Sequence, residues 1–326
     1  MGHNPTYTSD QIHQFYERIQ LPAKYRHEPG SASTAIAQGS GGLDFLAALQ
    51  RYTLAKIPFE NLALHYARNK GIDIDPQILF EKIISRNSGR GGYCMELNCL
   101  FSVVLRTLGF QLYSTSGRVS TAASPDADNN SADDVRFLGF AHHINIVTIQ
   151  NVRYHVDVAF GGRGPTKPLP LEHGTVHLNI RPTQEVRLRF DTISQNESRN
   201  KLWIYEVRNC PEKLWLPQYC FPDDVEFLPA DFESMNFFTA TSPTSFFTWM
   251  VFVVRRILSE EDGGEILGEV VMMGNRMYRR VLGRKEVEVE FKTERERIEA
   301  LEKEFGIVLD EIQRRGITGM ASSIGQ

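Results

Sequence analysis

The sequence predicts an α+β protein: a mostly helical first third, a central run of antiparallel strands, and a mixed last third. Three observations predict it. Apolar residues recur at helical spacing up to residue 109, short β-rich runs broken by turn residues fill 110–207, and both patterns return after residue 231. At 326 residues the chain can bury a large core. Its 36 basic and 40 acidic residues leave a net charge of −4 with the signs intermixed, which argues against nucleic acid or a membrane surface as a partner. Four cysteines (Cys94, Cys99, Cys210 and Cys220) without a CxxC pair do not make a disulfide framework, so a reducing, cytoplasmic compartment is expected. No signal pattern opens the chain, and the apolar run 246–254 is too short to span a bilayer.

In chain order, residues 9–20 read as a helix with Ile12, Phe15, Tyr16 and Ile19 on one face, closed by Pro22. Residues 27–42, rich in Gly, Ser and Ala, read as a loop. Residues 43–52 are helical, and Pro76 opens a helix that runs to Ile84. Residues 110–119 read as a strand and 120–134, with four Asp and no apolar period, as a surface loop. Residues 137–149 and 152–160 pair through Gln150-Asn151, and 161–170, rich in Gly and Pro, is irregular. Strands follow at 176–180, 186–190 and 202–207, a spacing that suggests a small barrel or curled sheet. Residues 244–256 fit strand or helix, 269–281 and 285–291 look β-like, and 293–305 is a helix capped by Thr293 with Glu296 at N3.

The chain is organised around Arg90-Gly91-Gly92-Tyr93-Cys94-Met95-Glu96-Leu97-Asn98. Two glycines allow a sharp turn. Leu97, Leu100, Phe101, Val104, Leu105 and Leu108 then mark one helix face, ended by Gly109. A cysteine in the first turn of a helix meets the positive end of the backbone dipole, which favours the thiolate, the nucleophilic form. Such a thiol needs a base. If 137–149 and 152–160 form a hairpin about Gln150-Asn151, Ile144 faces Asp157 and His142 becomes its diagonal neighbour, roughly 7–8 Å away at Cα and within reach of its side chain. His143 points to the other face, whereas His155 shares the face of Asp157 and competes for it. The spacing therefore permits a Cys94–His142–Asp157 triad, with His142 as base and Asp157 as its orienting partner. It equally permits a buried His–Asp packing pair beside an inert cysteine. No paired-ligand spacing supports a metal site. Cys99, off the apolar stripe and without a nearby base, reads as inert, and Cys210 and Cys220 as packing residues.

The string 90–98 resembles the active-site signature of the arylamine N-acetyltransferases, as does Ile57-Pro58-Phe59-Glu60-Asn61-Leu62. Gly139-Phe140-Ala141-His142, Val156-Asp157-Val158-Ala159-Phe160-Gly161, Asp231-Phe232-Glu233-Ser234-Met235-Asn236, Thr241-Ser242-Pro243 and Phe305-Gly306-Ile307 are similar to the family's later motifs in the same order. The resemblance spans about residues 10–312, and several ordered motifs are more specific than any one. It implies three domains: a helical bundle over 1–109 carrying the nucleophile, an antiparallel β-barrel over 110–215 carrying His and Asp, and an α/β lid over 216–326, around a cysteine-protease-like Cys-His-Asp core. It implies ping-pong transfer of an acetyl or malonyl group from acetyl-CoA or malonyl-CoA, through a Cys94 thioester, to an arylamine or arylhydrazine, and a role in xenobiotic detoxification. Gly139 and Thr241 would lie along the CoA channel, Phe160 would line the acceptor pocket, Tyr93 would stand beside the nucleophile, and no permanently bound cofactor is expected.

The chain departs from the family pattern at Ala159, where Gly is common, at His155, where an apolar residue is usual, and in the 120–134 insertion. The insertions resemble those of fungal members, some of which use malonyl-CoA. The same triad would also serve an acyl-CoA hydrolase with water as acceptor, and a non-catalytic binding protein would leave Cys94 unacylated.

Overall fold

A computed structural model describes residues 5–123, 135–180, 182–260 and 264–325. Residues 124–134 of the expected surface loop lie outside that set. The chain opens with helices α1 (Ser9–Arg18), α2 (Ser31–Gln38) and α3 (Gly42–Lys56), the short strand β1 (Phe59–Glu60), and helices α4 (Ala63–Tyr66), α5 (Pro76–Phe80) and α6 (Cys94–Thr107). Asp75 caps α5 by accepting from the Gln77 and Ile78 amides, with Pro76 in the first turn, and a wider helical turn carries it on to Ser85. Helix α2 replaces the loop expected over 27–42. Gly30 at its N-cap donates its N–H to Ser33 Oγ at 3.1 Å, and Ala37 is buried. The Gly/Ser cluster caps a helix here rather than breaking one.

Eight strands follow: β2 (Gln111–Ser120), β3 (Phe137–Ile149), β4 (Val152–Val156), β5 (Leu169–Pro170), β6 (Val176–Ile180), β7 (Gln184–Asp191), β8 (Leu202–Arg208) and β9 (Leu216–Phe221). They form one antiparallel sheet in the order β5-β4-β3-β2-β9-β8-β7-β6. The expected barrel is a curled sheet: among the described residues β5 and β6 are its two edges, joined to no common neighbour. Gln150 and Asn151 both take positive φ, which matches a tight hairpin turn to the strand twist. The register is Asn145 opposite Val156 and Ile146 opposite His155, as the two-residue turn requires. Strand β9 has no counterpart in the sequence reading. Pro217 stands opposite Glu206, the register shifts past Gln218 between it and Tyr219, and the break in alternation hides a run that joins β2 to β8.

The last third begins with α7 (Pro229–Thr241). Residues 244–256 resolve into a 3-10 turn at Phe246–Thr248 and the start of β10 (Phe252–Leu258). The stretch 269–281 is a hairpin of β11 (Ile266–Met273) and β12 (Arg276–Val281) about Gly274, followed by β13 (Arg284–Glu290), α8 (Glu294–Phe305) and α9 (Glu311–Gly316). The second sheet runs β1-β10-β11-β12-β13, so the helical N-terminal region supplies its first strand. The largest core packs α1, α3 and α6 against Val147 and Ile149 of β3 and against Phe252 and Val254 of β10. A second core, with Ile144, Ile146, Tyr205, Tyr219 and Phe221, fills the curl of the large sheet. Cys94 enters from the first core, and His142 and Asp157 meet it at the junction.

Candidate active site

Residues 90–94 are shaped by close backbone contacts. A Cβ on Gly91 would sit 1.8 Å from the Pro58 carbonyl oxygen, and one on Gly92 would sit 2.6 Å from Glu96 Oε2, so only glycine fits either place. The loop is tied down by Glu60. The carboxylate accepts from Arg90 Nε at 2.8 Å, from Arg90 Nη2 at 3.2 Å, and from the Gly91 N–H at 3.1 Å. The Glu60 N–H in turn donates to the Gly92 carbonyl at 2.9 Å. Burial alone would raise the Glu60 pKa, but Arg90 and Lys82 hold it down to about 2. Tyr93 is the N-cap of α6, its N–H donating to Glu96 Oε2 at 3.1 Å. Cys94 is therefore the first helical residue, where the backbone N–H has no intrahelical acceptor.

Cys94 is 5% exposed, with its sulfur 3.6 Å from the Ala141 carbonyl and within hydrogen-bonding reach of the His142 ring. His142 Nε2 lies 2.8 Å from Asp157 Oδ2, which leaves Nδ1 for the thiol. Burial opposes an imidazolium there, but the Asp157 carboxylate overrides it and His142 is pushed up to about 10. Burial likewise works against the charge on Asp157, yet His142 beside it keeps this carboxyl well below the usual carboxylate range. The opposed shifts describe a buried, charged His–Asp pair.

Asp157 is fully enclosed by donors. Asn98 Nδ2 and the Ala159 N–H both reach Oδ1 at 2.8 Å, and Tyr219 Oη donates to Oδ2 at 2.9 Å beside His142. Asn98 also donates to the His143 carbonyl at 2.7 Å and accepts from the Val158 N–H at 2.9 Å, binding α6 to β3 and to the segment that follows β4. Its place four residues after Cys94 on one helix was a usable signal, because i and i+4 share a face. Tyr219 carried none, since β9 was itself hidden.

The other predicted site residues divide. Phe160 packs its ring edge against His142 at 4.9 Å and against Tyr219 at 4.6 Å. Tyr93 is fully buried next to Cys94, but its hydroxyl turns away to Asn236 Oδ1 on α7. Gly139 on β3 and Thr241 at the end of α7 are exposed and stand outside the hydrogen-bonded cluster. His143 faces away, stacked on Phe232 at 3.9 Å. His155 faces inward but bonds to Tyr219 Oη at 2.7 Å rather than to Asp157. Burial pushes the Cys99 and Cys220 thiols up to about 12. Among the described residues no cluster of His, Cys, Asp and Glu could hold a metal ion, and no helix is long and apolar enough to cross a membrane.

Comparison with known proteins bears on this site. A family model described as N-acetyltransferase matches residues 42–314. An N-malonyltransferase of Fusarium pseudograminearum is 35% identical over 323 residues, which is 96% of this chain and 93% of the relative. The solved arylamine N-acetyltransferase of Salmonella typhimurium superimposes with a TM-score of 0.70 at 26% identity, covering 94% of each chain. The Mycobacterium marinum arylamine N-acetyltransferase in complex with CoA superimposes with a TM-score of 0.70 at 25% identity, covering 94% of this chain and 97% of its own.

Proposed function

Because this chain belongs to the arylamine N-acetyltransferase family and is an acyl-CoA-dependent acyltransferase, we propose that it works by ping-pong transfer through a thioester on Cys94, with His142 and Asp157 completing a catalytic triad. The observation that carries the proposal is the His142–Asp157 bond at 2.8 Å, which leaves one ring nitrogen free beside a thiol at a helix N-terminus. In the first half-reaction the Cys94 sulfur attacks the acyl carbonyl, a new C–S bond forms, the bond to CoA breaks, and the proton on His142 goes to the departing CoA sulfur. In the second, an aromatic amine or hydrazine attacks the thioester, the C–N bond forms, the bond to Cys94 breaks, and His142 takes the amine proton. The Cys94 N–H, without a helical acceptor, is positioned to donate to the oxygen that becomes negative in each step.

In this scheme Phe160 walls the acceptor site against His142, Tyr93 buttresses the nucleophile, and Gly139 and Thr241 border the path of CoA. The division into 1–109, 110–215 and 216–326 belongs to the same proposal, except that β9 (Leu216–Phe221) goes with the central sheet, and a cytoplasmic location and a role in xenobiotic detoxification are proposed with it. The Fusarium relative is an N-malonyltransferase, which makes malonyl-CoA a donor to test beside acetyl-CoA. The test is the intact mass of the protein after mixing with each donor, then with an arylamine. Transfer predicts a Cys94-dependent adduct that amine discharges. An adduct that never forms removes the proposal, and one that decays equally fast without amine favours hydrolysis.

A further inference from the structure

His155 takes no part in the chemistry just described, yet it is wholly buried on the sheet face that carries Asp157. Its ring lies between Phe221, 5.1 Å away at 26°, and Tyr205, 5.8 Å away at 20°. One nitrogen, Nε2, is 2.7 Å from Tyr219 Oη, and the other, Nδ1, is buried with no hydrogen-bond partner. The Tyr205 hydroxyl donates to the Arg163 carbonyl and so does not serve it.

Counting protons fixes what His155 does. Tyr219 has one hydroxyl proton and two close neighbours, His155 Nε2 at 2.7 Å and Asp157 Oδ2 at 2.9 Å. Ionised Asp157 can only accept. If the proton pointed to His155, lone pairs on Tyr219 would face a carboxylate oxygen 2.9 Å away, too close for a water to separate them. The proton therefore sits on the Asp157 side, and the short contact to His155 requires Nε2 to carry a hydrogen and donate to Tyr219 Oη. Nδ1 is then a bare lone pair in an apolar setting. A second proton on that ring would be buried without an acceptor, in keeping with the downward push of burial on His155, to about 4.

We propose that His155 is a positioning residue: its Nε2–H locks the Tyr219 hydroxyl onto Asp157 and so keeps that carboxylate ionised and aimed at His142. The proposal rests on the triad assignment above and extends it by one link, to a histidine that touches neither thiol nor base. Donation into Tyr219 Oη polarises the O–H and strengthens its bond to Oδ2, because hydrogen bonds in a chain reinforce one another. A carboxylate held by four donors binds a proton poorly. It supports the His142 imidazolium without taking its proton.

Two measurements test this. In the 15N-labelled protein, two-bond proton–nitrogen spectra report the His155 tautomer. We expect the neutral Nε2–H form at pH 7, and an Nδ1–H or doubly protonated ring overturns the proposal. That readout needs no activity, so it stands even if Cys94 fails to be acylated and the transferase proposal falls. The second measurement is Cys94 acylation across pH in His155→Phe, which keeps the stacking and removes the donor, in Tyr219→Phe, and in the double variant. We expect His155→Phe to lower the acylation rate about three- to tenfold, the range for one hydrogen bond, and to displace its pH profile while the KM for amine stays put. The double variant should be no slower than Tyr219→Phe alone, because His155 acts only through that hydroxyl. Losses that multiply in the double variant, or an unmoved pH profile in His155→Phe, would show a packing role only.

Discussion

Replacing Asp157 by Asn tests the charged pair most directly. The side chain keeps its shape, and its amide oxygen can still accept from Asn98 and Ala159 at the Oδ1 position, so the hairpin remains tied to α6. The amide nitrogen then faces His142 Nε2 and donates to it. The imidazole must place its hydrogen on Nδ1, toward Cys94, and is no longer a base for the thiol. The magnitude follows from the His142 pKa, pushed from 6.5 to about 10 against the opposing effect of burial. That rise corresponds to roughly 5 kcal/mol of imidazolium stabilisation, or on the order of a thousandfold in the protonation equilibrium of His142. Iodoacetamide labelling of Cys94 at pH 7, followed by intact mass, should slow by about thirtyfold, because an unassisted thiol keeps a few per cent of thiolate at that pH and so caps the loss, and the rate should then climb with pH as such a thiol's does. A loss below tenfold, or an unchanged pH profile in a variant that keeps its Tm, would refute the reasoning.

Other outcomes follow from the same contacts. Asn98→Ala strips a charge-assisted bond from Asp157 and leaves the buried Val158 N–H without an acceptor. It should cost about 3–5 kcal/mol, read as a Tm drop of at least about 6 °C, and a drop under about 2 °C would contradict it. Glu60→Gln leaves the Arg90 guanidinium buried without its counter-charge, a loss of about 3–5 kcal/mol by urea unfolding at neutral pH. The native Glu60 pKa is depressed to about 2, so its contribution is complete above 4.5 and fades as pH falls through about 2. The His142–Asp157 pair stabilises fully between the ordinary carboxylate pKa of 3.8 and the ordinary imidazole pKa of 6.5. It weakens as acid reaches the depressed Asp157 value and as base carries His142 through about 10. Unfolding free energy measured against pH should show both limbs, and Asp157→Asn should erase the alkaline one. Gly91→Ala drives a methyl into the Pro58 carbonyl, so labelling of Cys94 should fall more than tenfold, and normal labelling would show that the loop can yield.

Much of this site is legible in the sequence because its parts are local. Side-chain alternation and a two-residue turn fix the hairpin register, and the register alone carries His142 to Asp157. Helical period and paired glycines place Cys94 at a helix start. What stayed hidden depends on partners far away in the chain. Tyr219 reaches Asp157 only because β9 lies between β2 and β8, and Pro217 blurs the alternation that would mark that strand. Helix α2 was lost because Gly and Ser, common in loops, here form a cap. The second sheet could not be assembled from pattern at all, because its first strand lies in the helical N-terminal region.

That first strand ties the turn before Cys94 to a part of the chain made much later. Phe59 and Glu60 bridge the Gly92 turn on one side and pair with Val254 and Val253 on the other. The segment that aligns the nucleophile is therefore braced by a strand made nearly two hundred residues later. At ribosomal speeds of 5–20 residues per second the interval is about 10–40 s. A chain stopped before β10 carries Cys94, His142 and Asp157 and still lacks the strand that braces the turn in front of the cysteine.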